Sequence, residues 1–129
     1  MNRRKYLKAL VAAGAASAIP ARAAVDPIQL HVDLDVVPTR QKEMATNFHT
    51  VFKPVISKQP GFVEVKLLKL RSALKGPAPG SANYRLIISF RTEEDRKAWV
   101  ARDEHQRVWP SIEKTLRGEK FGAVLYDLI

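Results

Sequence analysis

The sequence predicts an α+β fold in which four antiparallel strands form one sheet and two helical segments cover one of its faces. Apolar and polar residues alternate over residues 28–36, which is the period-two pattern of a half-buried strand. Two later segments carry apolar residues at helical spacing instead. Strand-like runs separate and follow these segments, so the order of elements is β-α-β-β-α-β.

The first strand is predicted over residues 28–36 and the first helix directly after it. Pro38 and Thr39 end the strand, and Thr39 is expected to cap the helix. Pro54 lies inside the helical pattern and should bend the helix or end its regular part. The residues that define this pattern are Met44, Phe48, Val51, Phe52, Val55 and Ile56.

The second and third strands are predicted to form a hairpin with a long loop. Gln59-Pro60-Gly61 ends the first helix, and the second strand follows over residues 62–70. Its predicted faces are Val63, Val65 and Leu67 on one side and Leu68 and Leu70 on the other. The loop, residues 71–83, is rich in Gly and Pro, and the third strand covers residues 84–90.

The second helix is predicted to begin at Thr92, because Asp95 follows three residues later in a capping-box pattern. Pro110 should interrupt or restart this helix. The last strand is expected over residues 121–128. On a helical wheel one apolar face contains Ala98, Ala101, His105, Val108, Trp109 and Ile112.

These elements predict a ferredoxin-like fold with a further surface to bury. Leu67-Leu68 and residues 86–88 place apolar side chains on both faces of the middle strands. Two helical segments can cover only one face. A second copy of the sheet is the simplest cover for the other, so we expect a homodimer.

Residues 1–23 resemble a twin-arginine export signal and not a part of the fold. Arg3 and Arg4 precede a weakly apolar segment over residues 9–19, and Ala21-Arg22-Ala23 is a cleavage pattern. An ordinary secretory signal is the alternative, but the modest hydrophobicity and Arg22 favour the twin-arginine route. We therefore expect a periplasmic or exported domain over residues 24–129 that meets a membrane only during export.

Composition excludes several classes of function. Removing residues 1–23 takes away five of the 22 basic residues and leaves 17 against 13 acidic ones, so the net charge falls from +9 to +4. A charge of +4 serves solubility and gives no reason to expect nucleic acid. The chain has no Cys, which excludes disulfides, thiolate chemistry and ferredoxin-type clusters. Motifs for RNA recognition, phosphate loops, hydrolases and zinc proteases are also missing, and His31, His49 and His105 lack metal-ligand spacing.

His105 is the candidate catalytic residue, because a titratable imidazole on an apolar face could serve a small pocket as a base. A pocket between the sheet and the helices is expected, with His105 and Trp109 in its wall. The alternative is a core histidine that makes one hydrogen bond. Candidate substrate-binding residues are Trp99, Trp109 and Phe90 as ring-stacking walls, with Tyr84 as a polar group.

Residues 28–129 resemble the antibiotic biosynthesis monooxygenase domain, which is a dimeric α+β barrel. Three stretches carry the resemblance: Lys58-Gln59-Pro60-Gly61-Phe62-Val63, the run from Phe90-Arg91-Thr92-Glu93-Glu94 to Trp99, and Glu104-His105-Gln106-Arg107-Val108-Trp109-Pro110. The resemblance implies a homodimer. It also implies an oxygenase that acts on a quinol or another small aromatic with dioxygen and without a bound cofactor.

The same family includes haem-degrading members, and this sequence departs from them. They place a Trp at the end of the third strand, where this chain has Phe90. Their first-strand Asn corresponds to Val32 or Asp33, and their iron-binding His falls close to Trp109, one turn from His105. Haem is therefore a secondary expectation. A ligand-binding or structural homodimer without catalysis is the alternative to an oxygenase, because a fold does not by itself determine a function.

Overall fold

A computed structural model describes residues 26–129, so the predicted export signal lies outside the described residues. The strands are β1 (Ile28–Val36), β2 (Phe62–Lys69), β3 (Tyr84–Phe90) and β4 (Leu116–Asp127). They form one antiparallel sheet in the order β2-β3-β1-β4. Helical segments cover one face, and the predicted ferredoxin-like α+β fold is confirmed.

The first helical layer contains two α-helices joined by a π-helical turn. A 3₁₀ turn (Pro38–Arg40) leads into α1 (Gln41–Asn47), the π-turn (Phe48–Phe52) and α2 (Lys53–Ile56). Pro54 has no N–H to donate, and the turn before it is π-helical, with hydrogen bonds that span five residues instead of four. The regular α-helix is therefore interrupted at this point, as predicted. Thr39 does not cap the helix, because it lies inside the 3₁₀ turn, whose N-cap is Val37.

A β-bulge changes the predicted faces of β2. The pairing with β3 shifts between Phe62 and Glu64, so that Val63 is an extra residue and is 53% exposed. Val63 therefore does not join Val65 in the core, contrary to the prediction. Beyond the bulge the alternation resumes, and Leu70 lies after the end of the strand.

The second helical layer is broken twice. It contains α3 (Glu93–Ala101), α4 (Asp103–Val108) and α5 (Pro110–Glu113). The Thr92 hydroxyl accepts the N–H of Asp95 at 3.0 Å, so the predicted cap is confirmed, and Pro110 begins α5. Arg102 has extended backbone angles between α3 and α4, which the helical wheel did not anticipate. Consequently Ala98 and Ala101 are exposed, and the single predicted apolar face does not exist.

The core lies between the sheet and the helical layer. Its fully buried side chains include Phe48, Phe52 and Leu34, and the core also takes in Trp99. The last strand begins at Leu116, earlier than predicted, because Leu116 pairs with Val36 beyond an irregularity in the pairing of β4 with β1. Gly118 and Glu119 have positive φ angles within this irregular stretch.

The opposite face of the sheet, here called the outer face, has no helix over it. Alternation along the strands places on it Gln29, His31, Asp33, Leu68, Arg85, Ile87, Val124 and Tyr126. Leu68, Val124 and Tyr126 are 43%, 51% and 51% exposed.

Between residues 26 and 129 no helix has both the length and the apolar character needed to cross a membrane.

Candidate functional site

A cavity of about 210 Å³ opens between the sheet and the second helical layer. We call it the aromatic cavity. The sheet supplies one wall from β1, β3 and β4, while α3, α4 and the first helical layer supply the others. The lining residues are Leu30, Val32, Phe52, Ile88, Phe90, Arg96, Trp99, Val100, His105, Trp109, Phe121 and Ala123.

His105 reaches the aromatic cavity because the chain restarts as a new helix after Arg102. Its imidazole is half-buried and lies edge-on to Trp99, with ring centroids 5.0 Å apart. It also stacks on Trp109 at 6.3 Å with an interplanar angle of 16°. Two indole rings therefore fix the orientation of the imidazole against the cavity.

Burial lowers the pKa of His105 below its ordinary value of 6.5. No carboxylate contributes to this shift, so the imidazole is neutral at pH 7 and able to accept a proton. The Gln106 amide is its hydrogen-bonding partner among the described residues, with Nε2 at 3.5 Å from Nδ1. That distance is at the limit of a hydrogen bond, which differs from the picture of a core histidine satisfied by one firm partner.

Two further aromatic rings pack against the indoles that line the cavity, one from the core and one from the exposed part of β4. Phe52 contacts Trp99 and Trp109 edge-on at 6.1 and 6.2 Å, and Phe121 contacts Trp109 at 5.1 Å. Trp109 is only partly buried, whereas Trp99 and Phe90 are 2% and 0% exposed. Phe90 is thus a core residue with one surface toward the cavity, and Trp109 is the more accessible ring.

Arg96, Phe52 and Phe121 line the cavity but were not among the predicted site residues. Arg96 lies on the same face of α3 as Trp99 and Val100, three and four residues later. That spacing was visible in the sequence. Phe121 is brought to the cavity by the register of β4, which sequence reasoning did not assign to a site.

Tyr84 is not part of the aromatic cavity. It begins β3 at the opposite end from Phe90, and its hydroxyl donates to Gln41 Oε1 at 2.8 Å. It lines a separate depression of about 360 Å³ beneath the β2–β3 loop. The structure therefore brings together four of the five predicted site residues, His105, Trp99, Trp109 and Phe90, and leaves Tyr84 elsewhere.

The aromatic cavity does not fit a haem in this conformation. Pockets for drug-sized ligands span roughly 300–1,000 Å³, and a four-pyrrole macrocycle needs more room than the 210 Å³ found here. In the part of the chain that is described, no group of three or more His, Cys, Asp or Glu side chains could hold a metal ion.

Comparisons with known proteins place the fold. No family model and no curated protein matches this sequence. A candidate antibiotic biosynthesis monooxygenase from Caulobacter crescentus CB15 is similar in structure, with a TM-score of 0.64, 17% identity, and coverage of 81% of this chain and 92% of that one. A dimeric ferredoxin-like protein of unknown function from Jannaschia sp. CCS1 gives a TM-score of 0.62 at 15% identity, covering 80% and 98%.

Two characterised activities occur among these structural neighbours. SnoaB, a cofactor-independent oxygenase from Streptomyces nogalater, has a TM-score of 0.58 at 16% identity, covering 80% of this chain and 92% of that one. A heme-degrading protein from Mycobacterium tuberculosis has a TM-score of 0.57 at 15% identity, covering 81% and 93%. At such identities the likeness concerns the fold alone: this chain has the ferredoxin-like fold that these monooxygenase-type proteins share.

Proposed function

We propose that this protein is a cofactor-independent monooxygenase that oxidises a small aromatic or quinol-type substrate with dioxygen. The observation that carries the proposal is the imidazole of His105, whose pKa is lowered by burial and which is held between Trp99 and Trp109 in the wall of a cavity lined mainly by apolar side chains. SnoaB, with the same fold, supports this class of reaction.

The proposed reaction needs one base and a dry pocket. His105 accepts the proton of a phenolic hydroxyl, and the electron-rich phenolate then reduces dioxygen. Dioxygen forms a bond to a ring carbon that bears hydrogen, which gives a hydroperoxide after proton return. Cleavage of the O–O bond then releases water and leaves a carbonyl, so a quinol becomes a hydroxyquinone. The substrate supplies all the electrons, and apolar walls keep water from the ionised ring.

Oxygen uptake by the purified protein tests this proposal. A panel of quinols and phenols should include one or more compounds that consume one dioxygen per molecule oxidised, above the rate without protein. A panel that binds to the protein without oxygen consumption would favour the second candidate, a ligand-binding or structural homodimer. The second candidate is favoured by the side-chain contacts of His105, because no carboxylate among the described residues orients it as one does in many catalytic histidines.

We also propose that the protein is a homodimer joined through the outer face. Dimeric ferredoxin-like proteins occur among its structural neighbours. Leu68 on β2 and Val124 and Tyr126 on β4 place exposed apolar side chains on both edge strands of this face, while Asp33 and Arg85 pair at 2.6 Å on the central strands between them. A sheet face that no helix covers and that carries several exposed apolar side chains can be buried by a second copy of the chain.

Export through the twin-arginine route remains our proposal for residues 1–23. Arg3→Lys combined with Arg4→Lys should stop export, because that route requires the arginine pair, whereas an ordinary secretory signal tolerates two lysines. The periplasmic fraction and the N-terminus of the exported protein are the measurements. The expected mature N-terminus is Ala24, and undiminished export of the double variant would exclude the twin-arginine route.

A further inference from the structure

We infer that the aromatic cavity selects aromatic ligands that carry an anionic oxygen, and that Arg96 is the residue that recognises it. This inference rests on the proposed function only in assuming that the cavity binds a small aromatic molecule. Arg96 is the one charged side chain among the described residues that line the cavity, apart from the titratable His105. Its side chain is 21% exposed, so it is largely removed from water.

The guanidinium of Arg96 is held in place by one partner and keeps one donor group for another. Its Nε donates to Glu93 Oε1 at 2.7 Å, and its Nη2 donates to Glu93 Oε2 at 2.6 Å. No hydrogen bond from Nη1 is found within residues 26–129. The pair with Glu93 fixes the planar group without exhausting its five donors, so an oxygen of a bound ligand can still be accommodated.

The remainder of the cavity favours this assignment. Trp99 and Val100 follow Arg96 by three and four residues on α3, so the cation borders the apolar wall on which a ring would stack. His105 lies on the next helix and is neutral at pH 7, so it does not compete for an anion. A ligand with a planar apolar body and one carboxylate or ionised hydroxyl satisfies both parts of the site.

The size of the cavity limits the ligand. About 210 Å³ is below the range of roughly 300–1,000 Å³ that is typical of drug-sized ligands, so one or two rings fit. An arginine that meets a carboxylate in a partly desolvated site forms a charge-assisted hydrogen bond, which is stronger than a neutral one. We therefore expect at least about tenfold discrimination for the anion, the factor that corresponds to about 1.4 kcal/mol.

A matched pair of probes tests the inference. 2,5-Dihydroxybenzoate and its methyl ester share a quinol ring and differ in charge. Both tryptophans of the chain line the cavity, so quenching of intrinsic fluorescence, corrected for absorbance and checked by calorimetry, reports binding there. The wild-type protein should bind the acid about tenfold more tightly than the ester. Equal affinities would overturn the inference, even if no variant can be purified.

The variant that completes the test is Arg96→Gln. It should weaken binding of the acid about tenfold and change binding of the ester less than twofold, which also shows that the cavity is intact. Arg107→Gln, the same substitution at an exposed position outside the cavity, is the control and should change neither affinity. If Arg96→Gln still binds the acid more tightly than the ester, a group other than Arg96 recognises the anion. Failure of every aromatic probe to bind would instead count against the proposed function itself.

Discussion

Two substitutions at His105 separate its chemical role from its role in packing. His105→Phe keeps an aromatic ring between Trp99 and Trp109 but removes the base, whereas His105→Ala removes both. The loss of a general base typically slows a reaction by about 10²–10⁴-fold. Both variants should therefore lose oxidase activity by that factor if His105 accepts the substrate proton.

The stability of the two variants should differ. Aromatic pairs contribute about 0.5–1.5 kcal/mol each, and His105 makes two such contacts. Since the only side-chain hydrogen bond of His105 among the described residues is the one to the Gln106 amide at 3.5 Å, its removal leaves no firmly bonded buried group without a partner. We expect His105→Ala to lower the free energy of unfolding by about 1–2 kcal/mol, and His105→Phe to lower it by less than about 1 kcal/mol.

The assay pairs oxygen uptake with chemical denaturation on each purified variant. Activity is expressed per folded molecule, and the denaturation midpoint gives the stability. Wild-type activity in His105→Phe would refute the assignment of His105 as the base. A loss of activity confined to His105→Ala would show that the ring is needed for packing and not for proton transfer.

Two other predictions concern pH and the turn before β2. Because burial lowers the pKa of His105 below its ordinary value, the fall of kcat/KM toward low pH, as the base becomes protonated, should have its midpoint below pH 6.5; a midpoint above pH 6.5 would contradict this. The unfolded chain binds that proton more readily, so stability should also decline as pH drops below 6.5. Gly61 has φ +79°, and a Cβ there would lie 2.7 Å from the Cβ of Asp95. Gly61→Ala should therefore destabilise the protein more than Gly76→Ala does. Gly76 has φ +74° with open space around it, so alanine there should lower the free energy of unfolding by about 1–2 kcal/mol from the backbone angle alone. Equal losses in the two variants would show that Asp95 moves aside freely.

Most of the fold was predictable because local signals agreed with one another. The alternation in β1, the Pro and Gly residues at the turns and the Thr92 cap each act over a few residues, and the structure confirms them. The errors arose where tertiary pairing intervened. The bulge that exposes Val63 depends on the pairing of β2 with β3, and no period-two pattern reveals it.

The proximity of His105 and Trp109 was predicted for a partly wrong reason. A single helical wheel placed His105 and Trp109 together, but it also placed Ala98 and Ala101 on the same face, and these two are exposed. The helix breaks at Arg102, and the predicted inward direction holds for the residues beyond this break, from His105 to Ile112, but not for the two alanines before it. Phe121 could not be predicted from any helical pattern, because it reaches the cavity through the register of β4 on β1.

A charge introduced at Val124 on the outer face should break the proposed dimer. Val124 pairs with His31 across β4 and β1 and is 51% exposed. In a two-fold interface Val124→Glu introduces two carboxylates, and burial without a partner costs several kcal/mol per ion. We expect this variant to sediment as a monomer at micromolar concentration, whereas Ala98→Glu, exposed on the helical side, should remain a dimer. Because Phe121 and Ala123 on the same edge strand line the cavity, the monomer should also bind aromatic probes more weakly. A Val124→Glu protein that sediments as a dimer would place the interface on another surface.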